Sequence, residues 1–252
     1  MFCLTFAGRA FRRGRNGAIT NVSLREARDL TRNYFRNLEL FEDSLLLPPS
    51  ERLAPERTVL PGAADPLPPD LDSFHQAIHD CTRCPLGHTR TKFVFGVGNP
   101  RAPIVFVGEA PGRDEDLQGI PFVGRAGQLL DQMLADVGLD RRHVYICNVL
   151  KCRPPGNRDP EPLEIETCRP YLMTQISIIA PCILVCLGRH AATVLLGIEA
   201  PMKDLRGRVI PWQGMKVLVT YHPAYYLRNM SQRRFGDQDF QLMRKMYDEM
   251  IA

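Results

Sequence analysis

The chain has 252 residues, of which 44% are hydrophobic, and its formal net charge is +4. That length can form one full-sized hydrophobic core with residues left over for an extension or a linker. No stretch approaches the roughly 18 to 20 uninterrupted apolar residues of a membrane span, so we exclude a bilayer-spanning protein. Arginines follow the short apolar start where a small-residue cleavage site would belong, so we expect no secretory signal.

Residues 1–46 are predicted to form a basic extension. Residues 1–38 hold eight arginines and two acidic residues, a balance of +6, so the rest of the chain sums to −2. The bulk charge of the compact part therefore gives no argument for nucleic-acid binding. Apolar residues at helical spacing over residues 22–38, with Ser23 as N-cap and Glu26 three residues later, predict one amphipathic helix in the extension.

Residues 47–70 are predicted to form a proline-rich linker, because they contain seven prolines and little periodic hydrophobicity. The main compact domain is then expected over residues 71–252. Short apolar runs rich in β-branched residues alternate there with helical segments. The predicted strands cover residues 103–107, 144–150, 182–187 and 215–220, and the predicted helices cover residues 127–137, 162–179, 189–196 and 240–251.

This alternation predicts an α/β fold, a three-layer αβα sandwich around a central four-stranded parallel sheet. Ligands of such sheets bind beyond the carboxyl ends of the strands. The GEAPG loop after the first strand carries Glu109 but lacks the spacing of a dinucleotide fingerprint or a P-loop, so we reject both. The loops after the second and fourth strands carry Asn148, Asn157 and His222. We predict that these four side chains share one pocket.

Eight cysteines in a chain without an export signal favour metal ligands or buried thiols over disulfides. Cys81 and Cys84 form a CxxC motif, and Cys152 and Cys168 follow in and after the second strand's loop. Four thiolates of this kind hold zinc or an iron-sulfur cluster, and the residue types alone leave both open. Three further cysteines lie in the apolar runs and are expected to be buried as small hydrophobic residues: Cys147, Cys182 and Cys186.

The motifs CxxC, GEAPG, PFVGRAGQLL, NVLKCRPPGNRDP and HPAYYLRN occur in this order between residues 81 and 229. In this combination the chain resembles the family 4 uracil-DNA glycosylases, the iron-sulfur branch of the uracil-DNA glycosylase superfamily. The resemblance implies a cytoplasmic DNA repair enzyme, without a membrane anchor, that acts as a monomer on uracil-containing DNA. Such an enzyme flips uracil out of the DNA and hydrolyses its N-glycosidic bond, which leaves an abasic site.

The resemblance also implies the cofactor and the catalytic residues. A structural 4Fe-4S cluster is expected on four cysteines: Cys81, Cys84, Cys152 and Cys168. His222 is expected to donate a hydrogen bond to O2 of the departing uracil, which stabilises the negative charge that develops there. Glu109 and Asn157 are expected to position the attacking water and to offset the positive charge on the sugar.

Substrate-binding roles follow from the same resemblance. Phe122 is expected to stack on the flipped base, and Asn148 to read the amide edge of uracil. Glu115 is expected to crowd the ring position where thymine carries its methyl group. Gly108 and Ala110 belong to the loop that lines the pocket. Three residues are candidates to enter the space that the base leaves: Tyr226, Leu227 and Arg228.

Two alternatives to the glycosylase are left open. A related branch traps uracil-DNA covalently through a histidine on an inserted basic loop, whereas residues 124–127 run here directly into the predicted helix. A non-catalytic iron-sulfur module of replication or repair would bind DNA and a cluster but would make no abasic product. Partners such as a replication clamp are also left open.

Overall fold

The computed structural model describes residues 4–5, 9–13, 19–22 and 67–251. The chain divides into two compact units, residues 1–57 and 58–252. In the first unit, three short antiparallel strands pair in chain order: β1 (Leu4–Thr5), β2 (Arg9–Arg13) and β3 (Ile19–Val22). The helix predicted over residues 22–38 lies outside the described residues except for Val22, which ends β3. The linker predicted over residues 47–70 lies outside them up to residue 66.

The second unit contains a six-stranded sheet. Its four inner strands are parallel, and they are the four strands that the sequence predicts. Two short edge strands, which the sequence did not predict, pair antiparallel to them. From edge to edge the strands are β4 (Val97–Gly98), β6 (Val144–Asn148), β5 (Ile104–Gly108), β7 (Ile183–Leu187), β9 (Met215–Thr220) and β8 (Val209–Trp212).

The inner strands are buried on both faces, as is typical of parallel sheets covered by helices. Because successive side chains of a strand point to opposite faces, each strand contributes to two cores. Val105 and Val107 pack in one core, whereas Ile104 and Phe106 pack in the other. The sheet therefore separates two hydrophobic layers, and the predicted three-layer αβα class is confirmed.

Helices cover both faces of this sheet. The first core receives α1 (Leu71–Ile78), α5 (Pro162–Ile179), α6 (Arg189–Leu196) and α7 (Met202–Leu205), and the second receives α4 (Arg125–Ala135), α8 (Pro223–Arg228) and α9 (Arg233–Ile251). Two short helices, α2 (Leu86–Thr89) and α3 (Arg113–Gln118), lie in the loops. Over the described residues, no helix has the length and apolarity to cross a membrane.

The helices predicted over residues 162–179 and 189–196 have those bounds in the structure. The last helix begins at Arg233 rather than at the predicted residue 240. Its first turns are polar, so hydrophobic periodicity does not reveal them. An ion pair between Arg233 and Asp237, 2.7 Å long and one turn apart, supports this start.

Candidate active site

The carboxyl ends of β5, β6 and β9 open onto one cavity of about 450 Å³. Most of the predicted site residues line it: Glu109, Ala110, Glu115, Phe122, Asn148, Asn157, His222 and Arg228. Gly108 lies directly behind the wall, and Leu227 is not among the lining residues. The four side chains that the sequence assigned to one pocket, Glu109, Asn148, Asn157 and His222, therefore do converge.

The register of the sheet places Gly108 opposite Asn148. A Cβ atom on Gly108 would lie 2.3 Å from Asn148 Oδ1 and 2.6 Å from Phe122 Cζ. Any side chain at this position would therefore push both residues out of place. The glycine allows an amide and an aromatic ring to pack against the end of β5.

The Asn148 side chain is buried but poorly satisfied. Only 2% of the residue is exposed, and within the described part of the chain its Oδ1 atom has no hydrogen-bond partner. Leaving such a group unpaired costs about 1 to 3 kcal/mol. The Asn148 carboxamide carries an acceptor, Oδ1, and a donor, the NH₂ group, side by side at the wall of the cavity.

Phe122 adopts a backbone conformation that is rare for an aromatic residue, with φ of 55°. Such a conformation costs on the order of 1 to 3 kcal/mol and persists only where the surroundings impose it. Arg141 donates hydrogen bonds to the carbonyl oxygens of Pro121 and Phe122 and pairs with Asp131 at 2.7 Å. A Cβ atom on Gly127 would lie 1.7 Å from the Phe122 carbonyl oxygen, so only glycine permits this approach.

His222 lies beside the Phe122 ring and acts as N-cap of α8. Its Nδ1 atom accepts a hydrogen bond from the backbone N–H of Ala224 at 3.1 Å. An imidazole that accepts at Nδ1 carries its proton on Nε2. Burial, and secondarily the charge of Arg228, lower the pKa of His222 to about 4. The ring is therefore neutral at neutral pH and presents Nε2–H as a donor.

Glu109 extends from the loop after β5 to the wall of the cavity, where His190 from the start of α6 contacts it. The distance from His190 Nδ1 to Glu109 Oε2 is 2.5 Å. On its other side, His190 Nε2 lies 3.9 Å from a carboxylate oxygen of Asp159. Within residues 67–251, these three residues form the only group of three or more candidate ligand atoms that lie within 4.8 Å of one another.

The four predicted ligand cysteines gather on the other side of the Asn148 loop. Cys152 and Cys168 are buried in the first core, and Cys81 and Cys84 pack against it. Tyr171 donates to Cys81 Sγ at 3.2 Å, and Arg90 donates to Cys152 Sγ at 3.4 Å. The pKa of Cys168 is raised to about 12, chiefly by burial and to a smaller extent by Cys152 and Cys84, whereas Lys151 opposes this shift.

A family model described as "Uracil DNA glycosylase superfamily" matches residues 95–250. The chain belongs to this superfamily. The "Type-4 uracil-DNA glycosylase" of Archaeoglobus fulgidus is 49% identical over 178 residues, which are 68% of this chain and 89% of that protein. The protein of the same name from Thermotoga maritima is 49% identical over 163 residues, 64% of this chain and 85% of its own. The match to the family 4 branch, and with it the prediction of an enzyme of this family, is confirmed.

A "Type-5 uracil-DNA glycosylase" of Pyrobaculum aerophilum matches a smaller part of this chain. The two are 34% identical over 93 residues, which are 35% of this chain and 40% of that protein. The loop that carries Phe122 runs directly into α4, for which Gly124 is the N-cap. Residues 124–127 therefore belong to the start of α4 rather than to a separate loop.

Of the acidic residues after GEAPG, only Glu115 lines the cavity of this superfamily member. Its carboxylate accepts hydrogen bonds from the backbone N–H groups of Gly112, Val123 and Gly124, at 2.9 to 3.1 Å. Asp116 is instead buried and accepts from the Thr91 N–H at 2.9 Å. Glu115 thus joins the starts of α3 and α4, and its position against the cavity is fixed by three donors.

The outer rim of the cavity carries the remaining predicted residues. Asn157 is exposed, has φ of 56°, and accepts a hydrogen bond from Arg153 Nε at 2.7 Å. Arg228 is exposed and Leu227 is half-buried. Tyr226 is fully buried, and its hydroxyl lies 3.2 Å from that of Thr220. The prediction of Tyr226 as a residue that enters the DNA is therefore wrong, because its ring belongs to the second core.

Two predictions about single residues were incomplete. Cys147 and Cys186 are buried as predicted, but Cys182 is exposed because β7 begins only at the next residue. The sequence analysis also did not assign His190, which follows the third predicted strand, to the site. The signal that could have identified it is its position two residues after Gly188, at the same sheet edge as Glu109.

Proposed function

We propose that the chain hydrolyses the N-glycosidic bond of uracil in DNA and leaves an abasic site. The observation that carries this proposal is the Asn148 side chain, whose Oδ1 atom has no partner among the described residues and which lines the cavity together with Phe122 and His222. A planar ligand with adjacent donor and acceptor groups satisfies such an amide, and the amide edge of uracil has both. Cytosine presents a different pattern and would leave part of the amide unpaired.

Phe122 and Glu115 complete the recognition of the base. An aromatic ring beside the bound base contributes about 1 to 3 kcal/mol by stacking. The Glu115 carboxylate cannot withdraw without losing its three backbone donors, so a ring methyl group directed at it would meet a fixed obstacle. This supports the exclusion of thymine, the normal base that differs from uracil by that methyl group.

Cleavage of the N-glycosidic bond places negative charge on the departing uracil and positive charge on the sugar. A neutral His222 with its proton on Nε2 supplies a fixed donor for O2 of uracil, and such preorganised donors act without reorganisation during the reaction. Glu109 supplies a carboxylate that can order the attacking water and offset the sugar's charge. We assign Asn157 a supporting role at the rim, where it can contact that water or the DNA backbone.

The target uracil has to leave the DNA stack before it reaches this cavity, at a cost of a few kcal/mol. Leu227 and Arg228 follow directly on the His222 loop and are the residues that we propose to occupy the space in the DNA. Arg228 also supplies positive charge for the phosphates beside the flipped nucleotide.

The four cysteines lie at one part of the first core, where Cys152 and Cys168 are buried and Cys81 and Cys84 pack against the same residues. Zinc and iron-sulfur clusters both bind four thiolates, and the resemblance to the iron-sulfur branch of the superfamily favours the cluster. Burial opposes the thiolate forms of Cys152 and Cys168, a cost that metal coordination removes because the metal replaces the protons. We therefore propose that Cys81, Cys84, Cys152 and Cys168 hold a 4Fe-4S cluster, which joins the CxxC loop to the catalytic loop.

Lys151 supports the proposal that the four cysteines carry negative charge as metal-bound thiolates. The residue is fully buried, and its Nζ atom donates to the Asn148 carbonyl at 2.8 Å and to Gln175 Oε1 at 2.5 Å. The pKa of Lys151 is lowered, chiefly by burial, and Cys147, Cys168 and Cys152 oppose this shift without reversing it. Among the described residues it forms no ion pair with a carboxylate, so coordinated thiolates are the negative charge that a buried ammonium group would need.

The proposed activity is tested with a DNA oligonucleotide that contains one uracil. Incubation followed by alkali should give a single break at the uracil, and no break where cytosine or thymine replaces it. The matched variant Asn148→Ala should lose about 10- to 1,000-fold in rate, because its cavity no longer offers the amide. Absence of breaks with protein that retains its cluster would overturn the proposal. A product that stays covalently attached in denaturing gels would instead indicate the trapping reaction.

The same proposal includes the substrate, the oligomeric state, the location and the domain bounds. The substrate is uracil-containing DNA, and the protein acts on it as a monomer in the cytoplasm. Residues 71–252 form the glycosylase domain, residues 1–46 a basic extension and residues 47–70 the linker. The family match over residues 95–250 lies within the proposed glycosylase domain.

A further inference from the structure

Glu109 is held by a histidine that no motif of the chain singles out. The two residues are 81 positions apart in sequence, and β5 and β7 bring them together because these strands are neighbours in the sheet. The contact is 2.5 Å from His190 Nδ1 to Glu109 Oε2, and about a quarter to a third of each side chain is exposed, 27% and 31%. Glu109 therefore lines the cavity, and His190, which is not among the lining residues, contacts it while remaining partly exposed to solvent.

The chemistry of the two groups fixes the direction of this hydrogen bond. An ionised carboxylate can only accept, so His190 Nδ1 carries the hydrogen and donates it to Oε2. Among the residues that the structure describes, Glu109 Oε1 accepts no hydrogen bond. One oxygen of the carboxylate is thus anchored, and the other is left for a water molecule or for the sugar.

We propose that His190 is a positioning residue for the glycosylase reaction: its Nδ1–H fixes the orientation of the Glu109 carboxylate that orders the attacking water. The inference rests on the proposed function, because it gives His190 a role only if Glu109 takes part in that reaction. A glutamate side chain has three rotatable bonds, and an anchor at one oxygen removes most of its alternative orientations. Misplacement of a positioned group by about 1 Å can cost on the order of 100-fold in rate.

Asp159 has a lesser part in this arrangement. Its carboxylate lies 3.9 Å from His190 Nε2 and is 79% exposed, so solvent screens the interaction. Asp159→Asn therefore serves as a control that changes charge beside His190 without removing the bond to Glu109. All assays include a chelator, because these three residues could otherwise take up a divalent cation.

Two substitutions of His190 separate the hydrogen bond from the bulk of the ring. His190→Ala removes the donor, whereas His190→Asn places an amide N–H close to the former Nδ1 position. We expect His190→Ala to lower the single-turnover rate on a uracil oligonucleotide about 10- to 100-fold at unchanged DNA affinity. His190→Asn should recover most of that loss, and Asp159→Asn should differ from the wild type by less than about threefold.

The His190→Ala substitution is then combined with Glu109→Gln. If His190 acts through Glu109, His190→Ala should add little to the effect of Glu109→Gln, since a shared pathway makes the effects non-additive. Equal losses in His190→Ala and His190→Asn, or full additivity with Glu109→Gln, would overturn the inference. An active wild type with an unaffected His190→Ala variant overturns the inference alone. A wild type that makes no abasic sites overturns the proposed function, and the inference with it. Thermal unfolding of each variant shows that the fold is retained.

Discussion

Phe122 and His222 stack in the wall of the cavity, with ring centroids 5.4 Å apart and planes at 29°. One ring is expected to contact the base and the other to stabilise its leaving charge, so their contact fixes the two functions relative to each other. The strained Phe122 backbone and the N-cap position of His222 both restrict this pair. The geometry is therefore built into the free protein rather than formed only with substrate.

Replacement of the leaving-group donor is the most direct test of this pair. His222→Ala should reduce the single-turnover rate by about 100- to 1,000-fold, the usual loss when one preorganised donor to a developing oxyanion is removed. Affinity for uracil-containing DNA should change far less, because the donor acts mainly in the transition state. Iron content and the visible absorption should stay at wild-type level, since the cysteines are untouched. A variant with normal turnover would remove His222 from the mechanism.

The depressed pKa of His222 predicts a pH dependence of stability. Burial and the charge of Arg228 lower this pKa from 6.5 to about 4, so between these values the unfolded chain binds the proton more readily. Stability therefore rises with pH through this interval. The contribution of His222 is fully present above about pH 6.5 and declines as the pH falls toward 4. Denaturant unfolding between pH 4 and 7.5 should show this slope in the wild type and a weaker slope in His222→Gln.

Arg141 is predicted to act on the base through the backbone of Phe122. Arg141→Ala removes the donors to the Pro121 and Phe122 carbonyl oxygens and should release the strained conformation. We expect DNA affinity and turnover together to fall about 10-fold, in line with the loss of part of one stacking contact. Arg142→Ala is the matched control, because that side chain is 86% exposed and pairs with Asp140. Equal DNA affinity and turnover in Arg141→Ala and Arg142→Ala would contradict this role.

Removal of one ligand should separate the cluster cysteines from the other thiols. Cys152→Ser should lose iron, visible absorption and thermal stability, because Cys152 is buried among the three other predicted ligands. Cys182→Ser should retain all three, since that thiol is exposed and lies before β7. A wild type that contains zinc and is colourless would show that the iron assignment is wrong. A coloured Cys152→Ser variant would show that the ligand set is wrong.

The extension and linker are predicted to be dispensable for excision, provided that the cut spares the start of α1. Asp70 is the N-cap of this helix and accepts a hydrogen bond from the Ser73 N–H at 2.7 Å. A truncation after residue 66 should therefore keep the rate within about threefold, whereas one that also removes Asp70 should cost about 1 kcal/mol of stability. Loss of activity in the shorter truncation would indicate that the basic extension binds DNA.

The sequence alone was sufficient for the features that depend on local pattern. Continuous apolar runs identified the four parallel strands to within two residues of their observed bounds, because burial on both faces leaves a strong signal, and helical periodicity identified two helices with their observed bounds. The motifs also placed Glu109, Asn148, Asn157 and His222 at one sheet edge, since parallel strands share the direction of their carboxyl ends. The two edge strands gave no such signal, because β4 has two residues and β8 is half exposed.

Tertiary structure decided what depends on neighbours distant in sequence. The bond between Glu109 and His190 arises from the pairing of β5 with β7, which no local pattern specifies. The burial of Tyr226 and the exposure of Cys182 depend on which side of a helix or strand end meets the core. The positive φ of Phe122 likewise follows from Gly127 and Arg141 closing around its carbonyl group. The sequence thus determined which chemical groups reach the cavity, and packing determined how each of them is held there.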